Sequence, residues 1–415
     1  MGVDRRQLRL TLLRAFAALS SPLRPKAALR LGPAPRILLI RPDHVGDLLF
    51  ATPSFRLLRQ ALPEAHLACL VGPWGEPVVR CSPHLDEVIV CGFPGLSRQR
   101  KTSLLSPYRY LLEWAQRLRV QRFDLAVVLR FDHWWGALLT YLAGIPHRLG
   151  YDIAECRPFL SDALPYVSQR HEVLQNLLLA HGVLQYAGIE QVASSGQSTC
   201  AAAGPLLASY QQDPSDPRAV PLEFFVSPDE QAHISTYLSR LGLGEGTGLV
   251  AIHPGAGAPV KLWRAEAWAQ VADALVERWH VRIVITGGRE ELDLAWSVYA
   301  RMAADAAVAA GETTLSQLAA LFQRCRLVLG PDCGPLHLAV AVGVPTVHLY
   351  GPVDTLKFGP WGDPARHVVL TSDRACMPCN RLDYSSAELA DHPCVREIAP
   401  ETVLAVAERL LQQQA

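Results

Sequence analysis

The sequence has no excess of either charge, no membrane-spanning run and no standard phosphate-loop fingerprint. Its 39 Lys and Arg balance 39 Asp and Glu. A balanced chain lacks the basic surface that nucleic-acid affinity needs, and no zinc-finger or RNA-binding signature replaces it. No apolar run reaches the roughly 18 to 20 residues of a spanning helix, so the chain is expected not to cross a bilayer. Neither a Walker pattern nor G-x-G-x-x-G occurs, which disfavours nucleoside-triphosphate and dinucleotide sites. The ten cysteines are scattered from Cys69 to Cys394. That is unlike a dense disulfide scaffold and predicts reduced, mostly buried thiols in a cytoplasmic setting.

What is present is a globular composition, 50% hydrophobic over 415 residues, long enough for two cores. From Arg36 onward, short aliphatic runs (37–40, 67–71, 87–91, 125–129) alternate with helix-like stretches (47–61, 76–81, 107–120, 133–143). Such alternation implies βαβ units and a parallel sheet covered on both faces. A small-residue, polar stretch over 190–221 reads as a linker or flexible loop. A second series follows, with strands at 249–252, 281–286, 327–329 and 346–350 and helices at 265–279, 290–304, 315–323 and 335–342. The expected plan is α/β, two doubly wound Rossmann-like domains at 36–189 and 222–400 facing a cleft, with a terminal helix within 401–415. Ligands of such sheets bind beyond the carboxyl ends of the strands.

Four loops at such ends carry candidate chemistry. After the first strand come Arg41-Pro42-Asp43-His44-Val45-Gly46-Asp47. Asp47 there is either a general base acting on an incoming hydroxyl or an ordinary acid stabilising its helix. The second series opens with His253-Pro254-Gly255-Ala256-Gly257 and Lys261. Glycines let backbone approach a diphosphate, and Lys261 can neutralise charge developing on a phosphate leaving group. Thr286-Gly287-Gly288-Arg289-Glu290-Glu291 offers acids for a nucleoside, or surface caps. Gly330-Pro331-Asp332-Cys333-Gly334-Pro335-Leu336-His337 is a tight turn into a helix. Pro335 suits the first helical position, and Asp332 is either a cap or an acceptor for sugar hydroxyls.

Taken in order, these blocks resemble the heptosyltransferase family, glycosyltransferase family nine, over nearly everything from Arg36 onward. Gly46-Asp47 with Thr52-Pro53 resembles its opening block, and His253-Pro-Gly-Ala with Lys261 and Trp263 its central one. Gly330-Pro-Asp332-Cys333-Gly334-Pro-Leu-His337-Leu-Ala is similar to its Asp-Ser/Thr-Gly-Pro-x-His-Leu-Ala block. The resemblance implies a GT-B architecture with acceptor in the first domain and nucleotide-sugar in the second. It implies inversion at the anomeric carbon, a nucleotide-sugar such as ADP-heptose as co-substrate, and no metal or other cofactor. By the same resemblance Asp47 is the base and Lys261 a phosphate contact. Gly255 and Ala256 line the donor, Glu290 or Glu291 meets the nucleoside, and Asp332, Cys333, Gly334 and His337 clamp the donor. Cys333 departs from the family's hydroxyl residue, and a thiol is the weaker donor. His337 has a second reading as a core histidine. An epimerase or hydrolase on the same architecture, or a binding protein without chemistry, remain the competing functions.

His44, Arg130 and Arg148, with Trp134 and Trp135, are candidates for the acceptor side, the cations suiting an anionic or lipid-linked glycan; packing explains them equally well. Cys376-x-x-Cys379 with His392 and Cys394 invites a zinc reading that lacks a clear fourth ligand. The first 36 residues hold eight Arg and Lys against the single acid Asp4. On a helical wheel Leu8, Leu12, Ala15, Phe16 and Leu19 share one face opposite Arg14. That pattern, over residues 1–35, fits an amphipathic helix docking on the inner face of a membrane, with a packed or disordered extension and a cleaved signal peptide as the competing readings.

Overall fold

A computed structural model describes residues 10, 11, 13–17, 31–94, 96, 106–188, 216–244, 246 and 248–414. Most of the 190–221 stretch and of the N-terminal extension lies outside them. The chain divides into two compact units, Met1–His44 with Ala51–Ser215, and Val45–Phe50 with Asp216–Ala415.

The first unit holds β1 (Arg36–Arg41), then, past a short helix described with the second unit, α2 (Thr52–Ala61), β2 (His66–Val71), α3 (Glu76–Val79) and β3 (Glu87–Val90). It continues with α4 (Ser106–Val120), β4 (Leu125–Val128), α5 (Trp134–Ala143), β5 (His147–Tyr151), β6 (Asp162–Leu164) and α6 (Glu172–Tyr186). Its six strands run in the order β3-β2-β1-β4-β5-β6, all paired in parallel. β1 is central, and Ile37 to Ile40 are at most 1% exposed because helices cover both faces. α4 shows the 3.6-residue period directly: Leu111, Trp114, Ala115 and Leu118 face inward.

The second unit begins with the short helix α1 (Val45–Leu49), followed much later by α7 (Pro228–Arg240), β7 (Leu249–Ile252), α8 (Ala265–Trp279), β8 (Arg282–Ile285), α9 (Leu292–Tyr299) and β9 (Ala306–Val308). Then come α10 (Leu315–Gln323), β10 (Cys325–Pro331), α11 (Gly334–Ala341), β11 (Thr346–Leu349), α12 (Thr355–Phe358), β12 (His367–Leu370) and α13 (Pro400–Gln412). The sheet order, β12-β11-β10-β7-β8-β9, repeats that of the first unit in register, so each sheet reverses winding between its first and fourth strands. That reversal is the ligand crevice of a doubly wound sheet. Local signals position the helices: Thr314 and Gln317 form a reciprocal capping box on α10, and Ser227 caps α7.

Several expectations need correction. The helix expected over 47–61 is two helices, because Pro53 at the start of α2 has no N–H to continue the first one. The helix expected over 290–304 is a 3-10 turn (Arg289–Glu291) followed by the shorter α9. Strands β5, β6, β9 and β12 and helices α6 and α7 were not anticipated. The strands are only three to five residues long, and β5 opens His147-Arg148. Within the N-terminal extension, Leu13 and Ala17 are buried in the first unit's core, and the Phe16 ring lies 6.4 Å from that of Tyr141. Of the expected apolar face, Ala15 and Phe16 are described, and both are exposed beside the buried Leu13 and Ala17. Leu8, Leu12 and Leu19 lie outside the described residues. No described helix is long and apolar enough to cross a membrane.

Candidate functional site

In the second unit, the loops after β7 and β10 meet at the crevice. Lys261 ends a 3-10 turn, Pro259–Lys261, and its Nζ lies 2.7 Å from Asp332 Oδ2. That oxygen has no aligned hydrogen bond, so the contact is an ion pair off the lone-pair direction. Burial tends to raise the Asp332 pKa, but His337 and Lys261 hold it below the ordinary carboxylate value. Asp332 does not cap the following helix. Cys333 occupies the N-cap position without a side-chain cap bond, and Gly334, not Pro335, is the first helical residue. Burial pushes the Cys333 thiol up, so it stays protonated.

Glu291 ties the β7 and β8 loops together. Its Oε2 accepts from the Gly288 N–H at 2.7 Å and lies 3.6 Å from His253 Nε2. A Cβ on Gly255 would collide with the Glu291 carboxylate, so the missing side chain at Gly255 makes room for Glu291. Ala256 and Glu290 stand at the solvent side of the same loops, Ala256 partly buried and Glu290 exposed. His253 is buried, its Nδ1 3.1 Å from Thr286 Oγ1, and burial lowers its pKa. The acids at 290 and 291 are thereby separated: Glu291 is committed to the scaffold, and Glu290 faces outward.

Asp47 reaches this unit through helix packing. α1 lies against α11, where a Cβ on Gly334 would come within 3.1 Å of Val45 Cβ and one on Gly46 within 3.1 Å of His337 Cδ2. Both glycines are thus needed for the close approach. The Phe50 ring meets His337 edge-on at 4.8 Å. His337 is 4% exposed, with Nδ1 lacking a hydrogen-bond partner and Nε2 3.9 Å from Asp332 Oδ1. Gly46-Asp47 and Asp332-Cys333-Gly334, nearly three hundred positions apart in sequence, are therefore parts of one assembly. Asp47 sits in the first turn of α1 and is partly buried.

In the first unit the corresponding crevice is filled by charges, of which sequence reasoning had singled out Arg130 alone. Arg41 pairs with Asp43 (2.8 Å) and Glu172 (3.3 Å), and Asp43 accepts from Arg130 Nη1 at 2.6 Å. Burial works against the Asp43 anion, but Arg41 and Arg130 outweigh it and lower its pKa. The run Arg41-Pro42-Asp43 at a strand end was the available signal; Glu172, on an unanticipated helix, had none. His44 is exposed, its ring 5.3 Å from that of Trp74. Arg148 is not brought to this group. Its guanidinium donates to the carbonyls of Phe159 (2.6 Å), Pro146 (3.0 Å) and Ile145, so it locks β5 to its neighbours.

The cysteine-rich segment gives no metal centre: no group of three His, Cys, Asp or Glu among the described residues could hold an ion. Cys379 Sγ lies 3.5 Å from the Tyr384 hydroxyl, His392 stacks on Tyr384 at 4.0 Å, and Cys394 is buried. Nine described cysteines are free.

Residues 111–389 match the family model described as glycosyltransferase family 9 (heptosyltransferase). Lipopolysaccharide heptosyltransferase 2 of Escherichia coli K12 is 25% identical over 395 residues, 91% of this chain and 99% of the relative. Lipopolysaccharide heptosyltransferase 3 of the same strain is 24% identical over 89% of this chain and 96% of its own length. Among solved structures, a glycosyl transferase family 9 protein of Veillonella parvula superposes with a TM-score of 0.72 at 25% identity, covering 93% of this chain and 100% of that one. The E. coli ADP-heptose lps heptosyltransferase II gives 0.68 at 22%, covering 91% and 99%.

Proposed function

Since the chain belongs to glycosyltransferase family 9, the heptosyltransferases, and is a glycosyltransferase of GT-B fold, we propose that it moves a heptose, or a closely related sugar, from ADP-heptose to a lipopolysaccharide-core glycan. The observation that carries this reading is the Lys261–Asp332 pair at the crevice of the second sheet. A donor diphosphate takes over the Lys261 ammonium, which then neutralises the charge left on the departing nucleoside diphosphate. Asp332, freed from Lys261, accepts hydrogen bonds from donor hydroxyls, with Gly334 and His337 beside it and Glu290 toward the nucleoside.

Asp47 is the proposed base. Its carboxylate takes the proton of the acceptor hydroxyl as that oxygen bonds to the anomeric carbon and the bond to the diphosphate oxygen breaks. Attack from the face opposite the leaving group inverts the anomeric centre. The cation for the leaving group comes from Lys261, so no metal is assigned a role. The basic N-terminal residues, outside the family match, are proposed to hold the enzyme on the cytoplasmic face of an anionic membrane where a lipid-linked acceptor resides.

The test is nucleotide release from ADP-, GDP- and UDP-sugars, each with and without lipopolysaccharide-core acceptor. Acceptor-dependent release of ADP from ADP-heptose, with a heptosylated product by mass spectrometry, is expected. Release that ignores the acceptor would mean a hydrolase instead.

A further inference from the structure

The described lining of the cavity at the carboxyl end of β4 has a charge balance opposite to that of a phosphate site. The cavity encloses about 490 Å³ and is lined by residues 130–135 with Pro94, Leu96, Ile153 and Glu155. Among the described lining residues the one guanidinium, Arg130, is engaged at every nitrogen. Nη1 donates to Asp43 Oδ1 at 2.6 Å, Nε to Asp132 Oδ1 at 2.6 Å and Nη2 to Asp132 Oδ2 at 3.5 Å. An entering phosphate would have to displace one of these carboxylates, and Asp43 is also clamped by Arg41. Asp132 and Glu155 bring two carboxyl groups to the lining. His133 adds no cation at pH 7, since burial drives its pKa down to about 4.

The rest of the lining is aromatic. Trp134 is partly exposed, and Phe131 stacks on Tyr166 at 4.3 Å and 13°. Trp135 is 5% exposed, and its Nε1–H has no hydrogen-bond partner. Flat indole and phenyl faces beside carboxylate acceptors suit a carbohydrate ring. Its C–H face packs on the aromatics, and its hydroxyls donate to the carboxylates.

We infer that this cavity receives an uncharged, unphosphorylated sugar of the acceptor glycan and rejects the phosphorylated form. The inference rests on the glycosyltransferase reading and narrows its acceptor. The cation-rich acceptor side expected from Arg130 and Arg148 is replaced by one in which Arg130 is neutralised and Arg148 is spent on backbone carbonyls.

The test uses full-length protein without donor and two probes: a lipopolysaccharide inner-core oligosaccharide with its phosphates, and the same oligosaccharide after chemical dephosphorylation. Calorimetry should show the dephosphorylated probe binding at least about tenfold more tightly, as like-charge juxtaposition demands. Asp132→Asn should narrow that preference at least about threefold by removing one of the repelling charges. Trp134→Ala should weaken both probes at least about tenfold through loss of the stacking face. Equal or tighter binding of the phosphorylated probe overturns the inference, as does binding of neither. Because no donor is present, failure of transfer from ADP-heptose, which would defeat the proposed function, leaves this reading separate.

Discussion

Lys261 Nζ and Asp332 Oδ2 stand 2.7 Å apart across the point where the second sheet reverses its winding. Both side chains are mostly buried, 14% and 8% exposed, and Lys261 shares the compensation of the Asp332 charge with His337. Lys261→Ala should weaken binding of a nucleotide-sugar at least about tenfold and also destabilise the protein by up to about 3 kcal/mol, because Asp332 loses its counter-charge. Asp332→Ala should weaken donor binding as well. The double variant should recover part of the stability lost in Lys261→Ala. Calorimetry and urea unfolding of the three variants check this, and unchanged donor affinity in both singles would place the site elsewhere.

Asp47→Ala should cut turnover by at least about a hundredfold while donor affinity stays within about twofold, since a base acts on the transition state. Near-normal turnover would return Asp47 to the role of a helix-end acid.

Where α1 meets α11, a Cβ added at Gly334 would lie 3.1 Å from Val45 Cβ, tighter than ordinary packing. Gly334→Ala should cost about 1–3 kcal/mol by forcing the helices apart. It should lower kcat together with stability, because α1 carries Asp47. Thermal unfolding paired with turnover reads both; a fully stable, inactive variant would contradict the packing cause.

Removing residues 1–34 should release the protein from anionic vesicles, and added salt should weaken vesicle binding of the full chain. The truncation should also lower the melting temperature, because Leu13 and Ala17 are only 9% and 8% exposed in the first unit's core. Equal co-sedimentation of full-length and truncated protein would show that the extension is not the anchor. An unchanged melting temperature would contradict its packing.

Buried histidines set an acid window. Burial lowers the pKa of both His133 and His367 to about 4, and lowers those of His253 and His348 as well. Unfolded imidazoles take a proton near 6.5, so between about 6.5 and 4 the unfolded state binds more protons and stability falls as pH drops. Each such group contributes up to about 1.4 kcal/mol per pH unit there. The depressed Asp43 and Asp332 add their own loss only from about pH 5 downward, so the span above that belongs to the histidines. Urea midpoints between pH 7 and 4.5 measure the slope. His367→Asn, which can retain the bond to Thr346 Oγ1, should flatten it.

Periodicity and loop chemistry are local properties, and the sequence by itself determined what depends on them. Short, fully apolar runs such as 37–40 and 249–252, alternating with helical stretches, read as interior parallel strands, and helices 265–279 and 315–323 match the structure residue for residue. Short edge strands such as Asp162–Leu164 carry too few residues to show a period, and α6 is apolar on most sides and so has no stripe to read. The loops bearing Asp47, Lys261, Glu291 and Asp332 were legible because glycine, proline and charge at a strand end are local signals. Which charges pair was decided by tertiary structure alone: Lys261 on Asp332, Glu291 in the space left by Gly255, Arg130 between Asp43 and Asp132, Arg148 on backbone carbonyls. Pairing depends on distance and burial between residues far apart in sequence, and a cation whose donors are all used inside the fold has the same one-letter code as one that waits for a phosphate.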